Sequence, residues 1–230
     1  MKPMTGLLET RAMSSPRHLQ DGTTSIDEDR FLLWIDGVGG FLLLTQPLVT
    51  IGGPNGADAD IQLLASLSRR HATVHRDAGG YLLEAAGPAR VNNRPVVESV
   101  ELTDGAQISL GETVRLQFNR PTILSASARL SFQSDHRPTH SLDGVILVDD
   151  TCLIGPGQDC HVSCPEWTDS VILIHRDSSW FVRSPRLPLC VDGKPIRGEA
   201  TIDDGQVVTG EDLCFRLEPL SSGQSPTGGR

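Results

Sequence analysis

The chain has 230 residues, a formal net charge of −9 and 38% apolar residues. That length suits one large domain or two of about a hundred residues each, with enough apolar material for a buried core. The acidic balance excludes a general nucleic-acid binder, which needs a basic face for phosphates, and no apolar run reaches the roughly 18 residues of a membrane span.

Residues 1–30 are polar, carry Ser14-Ser15-Pro16 and end on Asp27-Glu28-Asp29. They are expected to be disordered, and they show no charged-then-apolar-then-small pattern of a secretory leader. From Phe31 onward the pattern changes to short apolar runs separated by turn residues. Phe31 to Ile35 meets the turn residues Asp36-Gly37 and Gly39-Gly40, then come Phe41 to Leu44 and Leu48 to Ile51. His71 to His75 and Tyr81 to Ala85 flank Asp77-Ala78-Gly79-Gly80, and Val114 to Phe118 alternates strictly. Short strands at this spacing predict an all-β sandwich or barrel, and no window predicts a long amphipathic helix.

The chain repeats itself. His75-Arg76-Asp77 recurs as His175-Arg176-Asp177, Tyr81-Leu82 as Phe181-Val182, Val91-Asn92-Asn93-Arg94-Pro95 as Val191-Asp192-Gly193-Lys194-Pro195, and Asp104-Gly105 as Asp204-Gly205. Ile51-Gly52 pairs with Ile154-Gly155, and Gly111-Glu112 with Gly210-Glu211. A constant offset over several strands and turns signals duplication of one unit. The expected organisation is a tail at 1–30, a first domain at 31–119, a linker at 120–128, a second domain at 129–219 and a flexible Ser/Gly/Pro tail at 220–230. Residues 31–119 hold six Arg and nine acids, whereas 129–219 hold eight basic and fifteen acidic groups. Within the less acidic first unit, Arg69, Arg70 and Arg76 lie beside His71 and His75, which favours a focused anion site over a broad basic surface.

Ser68-Arg69-Arg70-His71, following Ile51-Gly52-Gly53 and preceding Val91-Asn92-Asn93, resembles the motif set of the forkhead-associated (FHA) domain. The resemblance implies two tandem FHA-like antiparallel β-sandwiches and a docking module rather than an enzyme. It implies a phosphothreonine-containing protein or peptide as partner, a Ser/Thr kinase or its substrate among the candidates, with no cofactor, metal, nucleic acid or membrane. A phosphothreonine carries nearly two negative charges and strong acceptor oxygens, so it needs a hydroxyl donor, a guanidinium and backbone amides at a loop edge. By the resemblance Ser68 and Arg69 meet the phosphate, Arg70, Asn55, Asn92 and Asn93 complete the peptide site, and His71 and Gly52 support it, His71 from a buried position.

Two family positions differ. The phosphate-binding arginine of the Gly-Arg element falls at Gly53, and the asparagine that holds the ligand main chain falls at Gly87. Arg70, Asn55 or Arg90 are candidate substitutes, and Gly53→Arg is expected to strengthen binding. The second unit departs further: Thr168, Asp169 and Val171 stand for Ser68, Arg69 and His71, and Pro156 for the arginine. It reads as a degenerate copy used for packing or protein contacts. A phosphate-independent interaction module is therefore the alternative reading.

Other patterns carry less. His-Arg-Asp does not make a kinase catalytic loop in this context, because Asp77 and Asp177 lead into hairpin turns instead of the Leu and later Asn that chemistry requires. Cys160-His161 with Cys164 lacks a second pair at metal-binding spacing. Five unevenly spaced cysteines suggest reduced thiols in a cytoplasmic protein. Thr23-Thr24-Ser25 resembles a phosphorylated tail segment of some small bacterial FHA regulators.

Overall fold

A computed structural model describes residues 29–54, 59–122, 125–138 and 142–220. Asn55 and the Thr23-Thr24 segment lie outside the described residues. Among the described residues every regular element is a strand. The first repeat contributes β1 (Arg30–Ile35), β2 (Gly39–Leu44), β3 (Leu48–Gly52), β4 (Ile61–Gln62), β5 (Ala72–Asp77), β6 (Gly80–Ala85), β7 (Ala89–Val91), β8 (Arg94–Pro95), β9 (Ser99–Glu101), β10 (Gln107–Leu110) and β11 (Val114–Asn119). The second contributes β12 (Ala128–Phe132), β13 (Gly144–Leu147), β14 (Thr151–Gly155), β15 (Val162–Ser163), β16 (Val171–Arg176), β17 (Ser179–Arg183), β18 (Cys190–Val191), β19 (Lys194–Pro195), β20 (Glu199–Ile202), β21 (Val207–Thr209) and β22 (Cys214–Pro219).

The duplication is visible in the sheets. β4-β3-β5-β6-β9 form one five-stranded sheet and β15-β14-β16-β17-β20 its counterpart. The third sheet has 12 strands in the order β19-β18-β21-β22-β1-β2-β13-β12-β11-β10-β7-β8. Pairing is antiparallel except at β2–β13, β3–β4 and β14–β15.

That order shows an exchange that the sequence pattern does not announce. The repeat predicts that each copy closes its own sandwich. Instead β12–β13, from the second repeat, complete lobe 1 beside β11 and above the sheet of β3. The β1–β2 hairpin, from the first repeat, completes lobe 2 beside β22. The ranges 31–119 and 129–219 divide the sequence into its repeats, and each sandwich draws strands from both.

The physical reason lies in β2 and β13. Leu42 and Leu44 of β2, with Val145 and Leu147 of β13, belong to the lobe 1 core. Phe41 and Leu43, with Ile146, belong to the lobe 2 core. Both strands are therefore buried on two faces, which is why Phe-Leu-Leu-Leu and Val-Ile-Leu are continuous apolar runs rather than alternating ones. Pairing them edge to edge, in parallel, covers both faces and leaves neither with an open edge.

Arg76 fastens this junction. Its side chain is 10% exposed, and Nη2 donates to Thr45 O at 2.9 Å, Nη1 donates to Val148 O, and Nε lies 3.3 Å from Asp149 Oδ1. Thr45 and Val148 follow β2 and β13 directly, so one guanidinium ties β5 to both crossing connectors. Arg76 therefore does not belong to an anion site with Arg69 and Arg70. His75 is likewise separate, with Nε2 at 3.0 Å from Glu84 Oε2.

Candidate functional site

Three loops of lobe 1 meet at one end of the sandwich: Ser66–His71 between β4 and β5, Ala86–Pro88 between β6 and β7, and Gly111–Thr113 between β10 and β11. They line a cleft of about 760 Å³. His71, 3% exposed, is the peg that holds the first two loops together. Its Nε2 donates to Pro88 O at 3.0 Å, since a carbonyl can only accept. In the neutral ring this leaves Nδ1 as acceptor, and Ser68 N approaches it at 3.3 Å and Ser68 Oγ at 3.2 Å. The amides of Ala86 and Gly87 both donate to His71 O at 3.0 Å. The imidazole thus aims the exposed Ser68 hydroxyl and ties its loop to the neighbouring one.

Gly53 and Gly87, where the resemblance led one to expect an arginine and an asparagine, are required by this packing. A Cβ on Gly87 would lie 2.4 Å from His71 Cε1. A Cβ on Gly53 would lie 2.5 Å from Leu67 O, and one on Gly52 1.8 Å from Arg69 O. Without those atoms the Ser68 loop lies flat on the end of β3, where Gly53 N donates to Ser68 O at 2.9 Å. The space an arginine would need at position 53 is filled by the backbone of the loop that carries Ser68. The expectation that Gly53→Arg strengthens binding is therefore revised.

Arg69 and Arg70 follow Ser68 and are exposed. Among the described residues neither guanidinium has a hydrogen-bond or ion-pair partner. Two exposed, unpaired cations thus follow the anchored, cleft-lining hydroxyl in the same loop, residue types that suit an oxyanion. Glu112 lies on the opposite wall and is the one acid lining the cleft.

Asn92 and Asn93 are placed differently. Both have left-handed backbone, with φ of 50° and 65°, and form the turn between β7 and β8. From Pro88, at the cleft, to Asn92 the chain runs four extended steps, roughly 13 Å. The Asn92 amide donates to Gln107 O at 2.8 Å, and its Oδ1 accepts from Gln107 N at 2.9 Å. Asp192 makes the same two bonds with Val207, at 2.9 and 3.0 Å, in the lobe that lacks the phosphate motif. The shared bracket identifies Asn92 as a frame residue of the turn. Arg90 donates to Asn93 O at 3.3 Å and serves that turn as well.

In lobe 2 the matching loop end is acidic. Asp212 Oδ2 accepts from Thr168 N at 2.6 Å, Asp169 Oδ1 accepts from Ser170 N at 2.7 Å, and Arg186 lies 3.8 Å from Asp169. Val171 pairs with Ile154 as Ala72 pairs with Ile51, so Ser170 rather than an imidazole stands at the position of His71 in lobe 2. Cys160, His161 and Cys164 are buried. Burial pushes the Cys164 thiol up to about 12 and that of Cys152 likewise to about 12. Such thiols stay protonated and unreactive. Among the described residues no three His, Cys, Asp or Glu side chains converge as metal ligands.

Ser68 and His71 stand out from the motif alone. Pro88, Gly111 and Thr113 on the cleft walls do not, because their contribution depends on which loops the sandwich brings together. The Leu110-Gly111 turn is the one local signal for them.

The family model for the FHA domain matches residues 49–111, which take in the first two loops and end at Gly111 of the third. No curated protein matches the chain. Among solved structures, the FhaA FHA domain complexed with the intracellular domain of Rv3910 is 32% identical over 35% of this chain and 91% of its own, with a TM-score of 0.27. An FHA domain described for phosphothreonine-dependent interactions is 31% identical over 36% of this chain and 88% of its own, TM-score 0.28. The FHA-2 domain of the Mycobacterium tuberculosis ABC transporter Rv1747 is 23% identical over 56% and 99%, TM-score 0.35.

Proposed function

The chain belongs to the FHA domain family, and from that premise we propose that lobe 1 binds phosphothreonine on a partner protein and acts as a non-enzymatic adaptor in Ser/Thr kinase signalling. One observation carries the reading: the Ser68 hydroxyl, held by His71, lines an open cleft, and the unpaired guanidiniums of Arg69 and Arg70 follow it in the same loop. Ser68 turns its proton from His71 Nδ1 or Arg70 O to a phosphate oxygen, and Arg69 and Arg70 supply the opposing charge. A hydrogen bond to a charged group contributes about 1.5–3 kcal/mol. A site without an arginine guanidinium at position 53 therefore binds roughly tenfold or more weakly than one that has it. Its exposed arginines make the interaction strongly salt-dependent. Lobe 2, acidic at the matching loops, serves as scaffold.

A second reading, a phosphate-independent contact surface at the same cleft, is favoured by Glu112 on its wall and by the steric exclusion of side chains at 53 and 87. Calorimetry on the full chain with matched phosphorylated and unphosphorylated peptides separates the two. Phosphate-dependent binding that is lost in Arg69→Ala with Arg70→Ala supports the first. Equal affinity for both peptides, unchanged in that variant, selects the second.

A further inference from the structure

The duplication supplies an internal comparison at the junction of the lobes. In lobe 1 Asp60 precedes β4, and its Oδ2 accepts from Thr50 N at 2.7 Å. Arg30 of β1 reaches across and donates Nη2 to Asp60 O at 3.0 Å. Burial pushes the Asp60 carboxyl up, while the Thr50 amide and the Arg30 charge pull it down. Arg30 thus bonds the backbone of the loop before β4 and acts through its charge on the Asp60 carboxyl.

The second repeat builds the same corner with different chemistry. His161 precedes β15 as Asp60 precedes β4, and its Nδ1 accepts from Leu153 N at 3.0 Å. Leu153 is the counterpart of Thr50. Arg129 of β12 makes the corresponding reach, donating Nη1 to His161 O at 3.3 Å. His161 is fully buried, and burial lowers its pKa and favours the neutral ring, which unlike a carboxylate offers Arg129 no counter-charge.

Arg129 therefore has an imidazole where its counterpart has the Asp60 carboxyl. Among the described residues no ion pair includes it, and its Nε is buried with no hydrogen-bond partner. The guanidinium lies over the Phe41 ring at 5.6 Å. Asp143 contributes to the field at Arg129, but its Oδ2 already accepts from Gly40 N at 3.0 Å. Arg129 faces a cleft of about 380 Å³ whose walls include Asn119, Ser131, Gln158 and Ser163. Asp104, also at the wall, has Oδ1 held by Arg120 N at 2.8 Å and Asn119 Nδ2 at 3.4 Å. A part-buried cation without a counter-charge is costly, and neutral donors around it complete an anion's coordination.

We propose that this inter-lobe cleft binds a small oxyanion, inorganic phosphate or a small carboxylate, through Arg129. The site is separate from the Ser68 loop and independent of its function. The bound anion supplies, from the cleft side of Arg129, the negative charge that Asp60 supplies to Arg30 in lobe 1.

The test uses the full chain carrying Arg69→Ala and Arg70→Ala, so that the Ser68 loop does not contribute. Inorganic phosphate and, separately, acetate are titrated at constant ionic strength, with Kd read by calorimetry and Tm by thermal unfolding. A saturable rise in Tm with either anion is expected, as for any ligand of the native state. Response to phosphate alone assigns a phosphate site, and response to acetate alone a carboxylate site. Arg129→Met should weaken binding at least about tenfold. His161→Asp, which installs the carboxylate of lobe 1, should abolish the anion response while keeping the fold. Absence of a saturable response to both anions overturns the proposal. So does an unchanged response in Arg129→Met or, should that variant fail to fold, in His161→Asp.

Discussion

Gly53→Arg is the substitution on which sequence and structure disagree most directly. Motif logic says that it restores a phosphate-binding guanidinium. In the fold, the new Cβ meets Leu67 O at 2.5 Å, Leu67 C at 3.2 Å and Ala65 O at 3.4 Å, all of them backbone atoms. The Ala65–Ser68 segment must retreat by about 1 Å to regain ordinary contact distances. That segment cannot move alone, because Ser68 O holds Gly53 N at 2.9 Å and Ser68 N holds His71 Nδ1 at 3.3 Å. Overpacking of this kind costs about 1–3 kcal/mol, and a new charged contact to phosphate returns about 1.5–3 kcal/mol only if Ser68 stays aimed. The expected result is a lower urea midpoint with phosphopeptide affinity unchanged or weaker. Denaturation and calorimetry on the full chain check both. An affinity gain of tenfold or more at an unchanged midpoint would refute the steric argument.

Arg69→Ala with Arg70→Ala should abolish phosphopeptide binding in calorimetry with the urea midpoint unchanged, because both side chains are exposed and unpaired; Asp169→Arg should confer none on lobe 2. Gln117→Cys with Ser131→Cys should oxidise to a disulfide detectable by mass, since these positions face each other across β11 and β12 only if the hairpins are exchanged. Arg76→Met should lower stability by about 3–5 kcal/mol through loss of two charge-assisted bonds to carbonyls, whereas Arg176→Met, at a half-exposed ion pair of the second repeat, should cost about 1 kcal/mol or less; equal urea midpoints for the two variants would contradict the clasp. Burial holds His161 below its ordinary 6.5, so the stability tied to its neutral form is full above about pH 6.5 and lost as pH falls through the lower folded value; His161→Asn should flatten that part of the pH–stability curve.

Strands and turns were legible because they are local. The Asn92-Asn93 and Asp192-Gly193 turns announced their left-handed backbone through residue type, and the φ values follow. The offset of the repeat was legible for the same reason. The hairpin exchange was not, because strand alternation fixes which residues face a core and says nothing about whose strands enclose it. Its one signature was the continuous apolar run at Phe41 to Leu44, echoed at Val145 to Val148, which marks strands covered on both faces. In the site, Ser68 and His71 were legible from their motif. Arg76 was misplaced because proximity in sequence to Arg69 and Arg70 does not survive the pleat of β5, which sends it to the lobe junction.

The duplicated frame also limits what can count as functional. A feature present in both lobes, such as the bracket made by Asn92 with Gln107 and by Asp192 with Val207, serves the sandwich whatever the lobe binds. The phosphate reading must then rest on what lobe 1 has and lobe 2 lacks: the run Ser68-Arg69-Arg70-His71 before β5, against Trp167-Thr168-Asp169-Ser170 before β16. Of these, His71 sets the geometry and the two arginines set the charge. The charge changes sign at Arg70, from a free guanidinium to the carboxylate of Asp169, which is bonded to its own loop. The same subtraction, applied at the lobe junction, isolates Arg129, which has an imidazole where its counterpart has the Asp60 carboxyl. Both candidate sites are therefore places where one frame carries two different charge patterns, and the difference rather than the frame carries the argument for a ligand.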